Sequence, residues 1–257
     1  MQKASGSVHN WKLTIEYDGG RYSGWQEQIN ARTIQGELKR AASEFLHTGV
    51  DLQGAGRTDA GVHALAQVAS LRARLKFSPS PAELADALNS LLPADIAILR
   101  AERADPRFHA RHDAETRTYR YQISTRKTAF AKRYVWWVKE SLDIAAMARA
   151  ARSLEGRHDF VNFRAPDPAR PAESTLVVVD SARIETDASL VLFRIEASHF
   201  LWRMVRRLAG TLVKLGQGEI TEADFAELLA AKTRKDLDVA AWTAPSSGLL
   251  LESVRYK

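Results

Sequence analysis

The sequence predicts an α+β protein built from two similar halves. Several segments alternate apolar and polar residues, which is the period of a half-buried strand, and others carry apolar residues at helical spacing behind a capping residue. The two kinds of segment do not alternate strictly, which argues against a doubly wound parallel sheet. With 257 residues the chain is long enough for two moderate domains. We predict an N-terminal half over residues 1–105, a C-terminal half over residues 106–257, and a cleft between them.

The first half has the predicted order β-α-β-β-α-β. The residues from Trp11 to Tyr17 alternate apolar and polar without exception, which predicts the first strand. Thr33 precedes an apolar helical pattern that Gly49 closes. Ser80-Pro81-Ala82-Glu83 forms a capping box with proline at the first position of a second helix. The remaining strands are predicted at residues 50–53, 62–71 and 96–99.

The second half repeats this mixture after a predicted linker at Asp105-Pro106-Arg107-Phe108-His109. An apolar helical pattern from residue 144 ends at Gly156, and Asp187-Ala188-Ser189 is predicted to turn a hairpin. The proline-rich residues 166–171 predict an exposed loop. The other predicted elements are strands at residues 116–124, 134–138, 175–185, 190–197 and 249–256, and helices at residues 200–215 and 221–229.

The predicted helix over residues 200–215 places its charged residues unevenly. A helical projection puts Arg203, Arg207 and Lys214 opposite the apolar face. Arg206 lies at the edge of the apolar stripe, where an unpaired guanidinium would be costly, so a carboxylate partner is expected. The alternative is an arginine that extends to solvent over Trp202.

The charge distribution points to a polyanionic partner. The net charge is +6 and the isoelectric point is about 9.6, although a basic balance is common in proteins that never bind nucleic acid. The run from Arg100 to Arg133 holds ten Lys or Arg and four Asp or Glu, an excess of six that equals the excess of the whole chain. It also contains Phe108, His109, Tyr119 and Tyr121, a mixture suited to phosphates and unstacked bases. A solvated charged segment is the alternative interpretation.

Composition excludes several classes of protein. The chain contains no cysteine, so disulfides and thiolate chemistry are excluded and a reducing compartment is allowed. Residues 1–10 lack the apolar core of a signal peptide, and no run approaches a membrane-spanning length, so we predict a cytoplasmic protein with no membrane association. No spacing of His, Asp and Glu makes a convincing metal site, and we predict neither a metal nor a cofactor.

One stretch, Gly54 to Ala64, concentrates chemistry around a single carboxylate. Three glycines surround Asp59, which Arg57 precedes and His63 follows, and apolar residues resume directly afterwards. The simplest interpretation is a tight connection between two strands, in which Thr58 and Asp59 bond their own backbone. The density of glycine beside charged residues favours a site that holds Asp59 against a substrate.

The segment Gly56-Arg57-Thr58-Asp59-Ala60-Gly61-Val62-His63 resembles the active-site segment of the tRNA pseudouridine synthase A family, in which the aspartate is catalytic. Further blocks follow in the family's order and span nearly the whole chain. They are Tyr17-Asp18-Gly19 with Tyr22-Ser23-Gly24-Trp25-Gln26, Phe108-His109-Ala110-Arg111, Thr118-Tyr119-Arg120-Tyr121, Asn162-Phe163-Arg164-Ala165, Phe200-Leu201-Trp202-Arg203-Met204-Val205-Arg206, and Thr243-Ala244-Pro245 with Gly248-Leu249.

The resemblance implies the pseudouridine synthase fold, with the active-site cleft between the two halves. It also implies a homodimer that isomerises uridine to pseudouridine at positions 38, 39 and 40 in the anticodon stem-loop of tRNA, without a metal or redox cofactor. Two departures from the family's pattern concern the loop that follows Ala165, which lacks the cysteine of many members, and Leu250, which stands where an aromatic residue is common.

The resemblance also assigns roles to individual residues. Asp59 is predicted to be the catalytic nucleophile, on the ribose or on the base, with removal of a ribose proton as the alternative role. Arg206 is predicted to pair with Asp59 and keep it ionised. Tyr119 is predicted to stack on the uracil, whereas Tyr121 is predicted to be sheet core. Leu249 is predicted to form an apolar wall of the pocket, with a core leucine as the alternative. Arg57 is predicted to fill the gap that an extruded base leaves in its stack. The residues predicted to contact RNA elsewhere are His63, His109, Arg111 and Arg126.

Two other classes of function remain compatible with these patterns. A non-catalytic RNA-binding protein explains the basic run and the aromatics but not the glycine-framed Asp59. A carboxylate-dependent nucleoside or glycoside hydrolase explains Asp59, but such enzymes usually need a second positioned carboxylate, and none is evident near this motif.

Overall fold

The structure is a computed structural model that describes residues 6–167 and 172–257. These residues form five α-helices and ten strands, and the predicted mixed α+β class is confirmed. The chain divides into two compact units, one formed by residues up to Glu115 together with Leu251–Lys257 and the other by Thr116–Leu250. The division thus falls at residue 115 rather than at the predicted residue 105, and the last seven residues belong to the first unit. Of the predicted loop at residues 166–171, Pro168, Ala169, Arg170 and Pro171 lie outside the described residues.

The first unit is an antiparallel sheet with two helices. Strand β1 pairs with β3 on one side and β4 on the other, β2 pairs with β3, and β10 also lies next to β3. Alternation along β1 buries Trp11, Leu13 and Ile15 completely, as its sequence period predicts. The elements are β1 (Ser7–Tyr17), α1 (Ile34–Leu46), β2 (Val50–Gly54), β3 (His63–Leu75), α2 (Pro81–Leu91), β4 (Ile96–Arg103) and β10 (Leu249–Tyr256).

Both helices of the first unit begin where the sequence predicts. The Thr33 side chain accepts a hydrogen bond from the Gly36 amide, and Ser80 and Glu83 form both bonds of the capping box. The predicted end of α1 at Gly49 is wrong. The helix ends at Leu46, because His47 adopts the left-handed conformation (φ 51°) that a glycine usually supplies.

The predicted linker at residues 105–109 is a packed part of the first unit. The Asn10 side-chain amide donates to the carbonyl oxygens of Asp105 (2.8 Å) and Phe108 (3.0 Å), and Arg72 also donates to the Phe108 carbonyl (2.8 Å). The Phe108 ring lies 5.3 Å from the ring of Tyr256. These contacts correct the linker prediction, because the break in secondary structure does not coincide with a break between units.

The second unit combines an antiparallel sheet with three helices. Its strand order is β5-β9-β8-β7, and the two-residue β6 runs parallel to the end of β5. The predicted strand at residues 134–138 thus contributes only Trp136 and Trp137 to the sheet. The elements are β5 (Ala114–Ser124), β6 (Trp136–Trp137), α3 (Ile144–Arg152), β7 (Gly156–Asp159), β8 (Leu176–Asp187), β9 (Leu190–Ala197), α4 (Met204–Gly216) and α5 (Glu222–Leu229).

Helix α4 begins four residues later than predicted. Arg203 precedes it in a left-handed conformation (φ 60°), so residues 200–203 cannot continue the helix toward its N-terminus. The projection was also wrong for Arg207, which is buried and donates to the Arg164 carbonyl. Burial lowers the pKa of Arg207 below the usual value of an arginine. No helix within residues 6–167 and 172–257 is long and apolar enough to cross a membrane.

Candidate active site

Asp59 lies on the turn that connects β2 with β3. The Val62 amide donates to the Asp59 carbonyl (3.2 Å), and Gly61 adopts a left-handed conformation (φ 77°) that closes the turn. The Asp59 side chain is half-buried, and Arg57 two residues earlier is exposed. The prediction that Asp59 stands on a tight turn between two strands is confirmed, and this turn keeps Arg57 near it in space.

Residues 22–25 support the Asp59 turn from behind. The Trp25 amide donates to the Thr58 carbonyl (3.0 Å), and the Gly61 amide donates to the Tyr22 carbonyl (3.4 Å). Gly24 makes the close approach possible, because its φ is 91° and a Cβ atom there would lie 2.6 Å from the Thr58 carbonyl oxygen. The backbone is therefore held on both sides of Asp59.

The side chain of Thr58 has a second support in Tyr17. The Tyr17 hydroxyl and Thr58 Oγ1 are 2.8 Å apart, and both side chains are buried. Burial raises the pKa of Tyr17 to about 12, so its phenol stays neutral and able to donate at physiological pH. Sequence reasoning missed Tyr17 and Trp25 as supports of the loop, although both belong to motif blocks that carry the family resemblance.

His63 does not occupy the position expected of an RNA contact. Its side chain is only 3% exposed, and Nδ1 lies 3.0 Å from Asp18 Oδ1 and 3.2 Å from the Gly19 amide. One ring nitrogen cannot donate to the carboxylate and accept from the amide in the same tautomer, so Nδ1 makes one of these bonds at a time. The geometry makes His63 a buried support at the start of β3.

His109 and Arg111 stand together on the loop that follows β4. His109 Nδ1 accepts from the Arg111 amide (3.1 Å), and the His109 and His112 rings are 4.3 Å apart. Desolvation, followed by the charges of His112 and Arg72, lowers the pKa of His109. His109 is therefore neutral at physiological pH and offers RNA a hydrogen bond or a ring, whereas a charge must come from Arg111.

The predicted basic run is divided between the two units. Residues 100–115 belong to the first unit and residues 116–133 to the second. Arg117 is buried and donates to the Ser198 carbonyl (2.7 Å), and Arg103 donates to the Pro79 carbonyl (2.8 Å). These two arginines have structural contacts, whereas Arg126 is exposed.

Tyr119 and Tyr121 lie on the buried face of β5, as the strand period predicts. Tyr119 is 8% exposed and meets the ring of Phe200 edge to face, with the ring centroids 5.0 Å apart. Tyr121 is completely buried, and its hydroxyl donates to the Pro245 carbonyl (2.7 Å). Tyr121 is therefore more than core packing, because it holds the segment that leads to Leu249.

Arg206 and Leu249 meet the same segment of the second unit. Arg206 Nε donates to the Ala244 carbonyl (2.7 Å), while Leu249 follows a short turn over Ser246–Gly248 and is 6% exposed. Burial raises the pKa of Tyr121, and the nearby charge of Arg206 opposes that shift. Tyr121 thus links the segment that Arg206 and Leu249 meet to the strand that carries Tyr119. The predicted site residues Tyr119, Arg206 and Leu249 therefore lie in one region of the second unit.

Each unit contributes a distinct set of groups. The first offers a half-buried carboxylate on a well-supported turn with an exposed guanidinium, and the second offers a tyrosine, a guanidinium and an apolar side chain. Within the part of the chain that the structure describes, no three His, Asp or Glu residues are placed to hold a metal ion. The carboxylate of the first unit is a group suited to covalent or acid–base chemistry, and the tyrosine and apolar side chain of the second are groups suited to contact with an aromatic ring.

Residues 13–113 and 150–257 match the family model described as tRNA pseudouridine synthase. The chain belongs to the tRNA pseudouridine synthase family. Relatives named tRNA pseudouridine synthase A include that of Moorella thermoacetica, 41% identical over 250 residues that cover 95% of this chain and 98% of the relative. That of Pelobacter propionicus is 42% identical over 247 residues, which cover 95% of this chain and 98% of the relative. That of Thermoanaerobacter sp. is 39% identical over 252 residues, which cover 97% of this chain and 100% of the relative.

The family match confirms the membership that the sequence motifs predict. The matched ranges include Asp59, Arg206 and Leu249, whereas Tyr119 and Arg126 lie between them. The roles of these residues in this pseudouridine synthase family member stay predictions, and they enter the proposal that follows.

Proposed function

We propose that this member of the tRNA pseudouridine synthase family isomerises uridine to pseudouridine in tRNA, at positions 38, 39 and 40 of the anticodon stem-loop. The observation that carries the proposal is the half-buried Asp59 carboxylate, supported through Thr58 and standing on a turn whose sequence resembles the family's active-site segment. The names of the relatives support tRNA as the substrate. The numbered positions rest on the sequence resemblance.

The proposed reaction moves the uracil without a net change in composition. The N1–C1′ bond breaks, the uracil rotates within the site, and a new bond forms between C5 and C1′ while the C5 proton is lost and N1 regains a proton. Asp59 acts as nucleophile on the ribose or the base, or as the base that removes a ribose proton. Two hydrogen bonds to Thr58 support the position of Asp59 before the substrate arrives.

The second unit supplies the proposed contacts to the base. Tyr119 stacks on the uracil, and Leu249 provides an apolar wall that retains it after the glycosidic bond breaks. Arg206 stabilises the ionised form of Asp59 during the reaction. The hydrogen bond from Arg206 to the Ala244 carbonyl supports this role, because it limits the rotamers of the guanidinium.

Four residues are proposed to contact the rest of the RNA. Arg57 is exposed next to Asp59 and is proposed to fill the gap that an extruded base leaves in its stack. Arg111 and Arg126 are proposed to contact phosphates, and His109, whose pKa is lowered, is proposed to contact RNA as a neutral group. His63 is proposed as a support of the turn rather than as an RNA ligand, because it is buried.

The proposal includes a homodimer in the cytoplasm, which the resemblance to tRNA-modifying enzymes supports. Sedimentation of the purified chain tests the dimer, with a single species of twice the 28.6 kDa chain mass as the expected result. A species of one chain mass at all concentrations would contradict it.

Incubation of the protein with unmodified tRNA, followed by site-resolved detection of pseudouridine, tests the function. We expect conversion at positions 38, 39 and 40 where these are uridine. Release of free uracil would favour a hydrolase, and binding of tRNA without any conversion would favour a non-catalytic RNA-binding protein. Conversion confined to other positions would retain the enzyme class and contradict the assigned site.

A further inference from the structure

Residues 126–139 of the second unit form a surface where cations and aromatic rings are exposed side by side. The segment contains five Lys or Arg and no Asp or Glu. The Phe130 side chain is 99% exposed, and Tyr134 and Trp137 are 38% and 42% exposed. The five cations, all exposed, are Arg126, Lys127, Lys132, Arg133 and Lys139. We call this segment the 126–139 surface.

The 126–139 surface is a well-anchored part of the second unit. The Val138 amide donates to the Ser124 carbonyl (3.0 Å), and the Gln122 side-chain amide donates to the Tyr134 carbonyl (2.7 Å). Val135 and Val138 are buried. Because the same segment buries its valines and exposes its large rings, the exposed rings are available to a ligand at little cost in reorganisation.

The chemistry of the 126–139 surface fits RNA. Lys127 Nζ lies 5.6 Å from the centroid of the Trp137 ring, so a phosphate and a base could be bound at adjacent points. Cations bind phosphates, and exposed rings stack on unpaired bases. A second copy of the chain fits this surface less well. In a symmetric dimer the segment would face its own copy, and its five cations, with no Asp or Glu among them, would repel those of the copy.

The 126–139 surface also lies beside the substrate residues proposed for the second unit. Its short helix Ala131–Arg133 contacts the turn Ser246–Gly248 that leads to Leu249. The Trp136 ring meets the Tyr121 ring edge to face, with centroids 6.3 Å apart. RNA that reaches Leu249 would therefore extend toward these cations and rings.

We propose that the 126–139 surface binds unpaired nucleotides of the substrate tRNA, with its cations on phosphates and with Phe130 and Trp137 stacked on bases. The inference rests on the proposed function, because that function supplies the RNA. It adds a docking surface outside residues 13–113 and 150–257, the ranges that match the family model.

Binding of the full chain to unmodified tRNA at several salt concentrations tests this proposal through two pairs of variants. Phe130→Ala with Trp137→Ala removes two stacking contacts and should raise Kd about thirty-fold or more with an unchanged salt slope, because stacking releases no counterions. Lys127→Glu with Lys132→Glu should raise Kd and lower the slope by about one unit per residue. The matched control is Lys76→Glu with Phe77→Ala, an exposed cation and an exposed ring of the first unit, which should bind like wild type.

Three outcomes would overturn the proposal. Wild-type affinity for tRNA in both pairs of variants would show that this surface does not bind RNA. An equal loss in the Lys76/Phe77 control makes the effect non-specific. A change in oligomeric state of the aromatic pair with unchanged tRNA affinity assigns the surface to contact between copies. Pseudouridine formation by the wild-type protein is measured in parallel, so failure of the proposed function is distinguishable from failure of this surface.

Discussion

The Trp25 amide donates a 3.0 Å hydrogen bond to the carbonyl oxygen of Thr58, the residue that directly precedes Asp59. The Thr58 side chain is held as well, by the Tyr17 hydroxyl at 2.8 Å. These two bonds fix backbone and side chain of one residue from different elements of the first unit. The backbone position of the residue before Asp59 is therefore built into the fold, and a positioned backbone is a condition for efficient chemistry by a single group.

Gly24→Ala should weaken both stability and turnover. Alanine at φ 91° is strained, and its Cβ would lie 2.6 Å from the Thr58 carbonyl oxygen, so the Trp25–Thr58 contact must open. We expect a loss of at least about 1–2 kcal/mol in the free energy of unfolding, with reduced pseudouridine formation. Urea unfolding and the tRNA assay measure the two effects. Gly49→Ala is the matched control, because a Cβ there meets nothing within 4 Å. Equal stability of the two variants would contradict the proposed close packing.

Asp59→Asn should abolish isomerisation while tRNA binding stays within about tenfold of wild type. The change removes one charge from a contact dominated by phosphates, so affinity changes little, whereas the reaction loses its carboxylate. Asp51→Asn, an exposed carboxylate on β2, is the matched control and should retain turnover. Residual activity of Asp59→Asn above a few per cent would remove Asp59 from its role as the essential group.

The fold was most predictable where local rules act alone. The alternating period of β1 and the capping box at Ser80 both lead to the observed elements, because side-chain alternation and helix capping depend on neighbouring residues. His47 and Arg203 were missed because each adopts a left-handed conformation without being glycine. Burial of Arg207 was missed because its partner, the Arg164 carbonyl, is 43 residues away in the sequence.

The sequence motifs predicted the turn of the candidate site, but not the residues that support this turn. The glycines around Asp59 identify the turn, because few other structures need them at that density. Tyr17 is 41 residues from Thr58, and its role depends on a tertiary hydrogen bond that no local pattern reveals. His63 is polar and is the last residue of the motif, yet it is buried at the start of β3. The sequence motif therefore predicts the turn that carries Asp59, while the structure identifies the residues that support this turn.

Asp224→Asn should destabilise the protein at neutral pH and lose this effect in acid. Asp224 accepts bonds from the Thr221 amide (2.9 Å) and hydroxyl (2.7 Å) and from Arg234 (2.7 Å), which lower its pKa from 3.8 to about 2. A carboxyl group whose pKa is lower in the folded state contributes stability above its unfolded pKa and loses it as pH falls through the folded value. The difference between variant and wild type should thus shrink between about pH 4 and pH 2. Thermal unfolding at a series of pH values measures this, with exposed Asp180→Asn as the control, and a constant difference across the series would contradict it.

Tyr121→Phe and Tyr119→Phe should separate a supporting hydroxyl from one that acts on the substrate. Tyr121→Phe removes the hydrogen bond that the buried Tyr121 hydroxyl donates to the carbonyl of exposed Pro245, which should cost about 0.5–1.5 kcal/mol of stability and loosen the turn before Leu249. Tyr119→Phe keeps the ring against Phe200, so it should lose less stability. Urea unfolding and turnover at saturating tRNA measure both variants.

Turnover should fall in both variants, but for different reasons. In Tyr121→Phe the decrease should follow the loss of stability and be partly relieved at lower temperature, because the segment over residues 244–248 regains its order. In Tyr119→Phe the decrease should persist at every temperature, because stacking is retained and only a proton or hydrogen bond from the phenol is lost. Wild-type rates in Tyr119→Phe would remove its hydroxyl from the reaction and leave the ring as its contribution. Wild-type rates in Tyr119→Ala would remove the residue from the site.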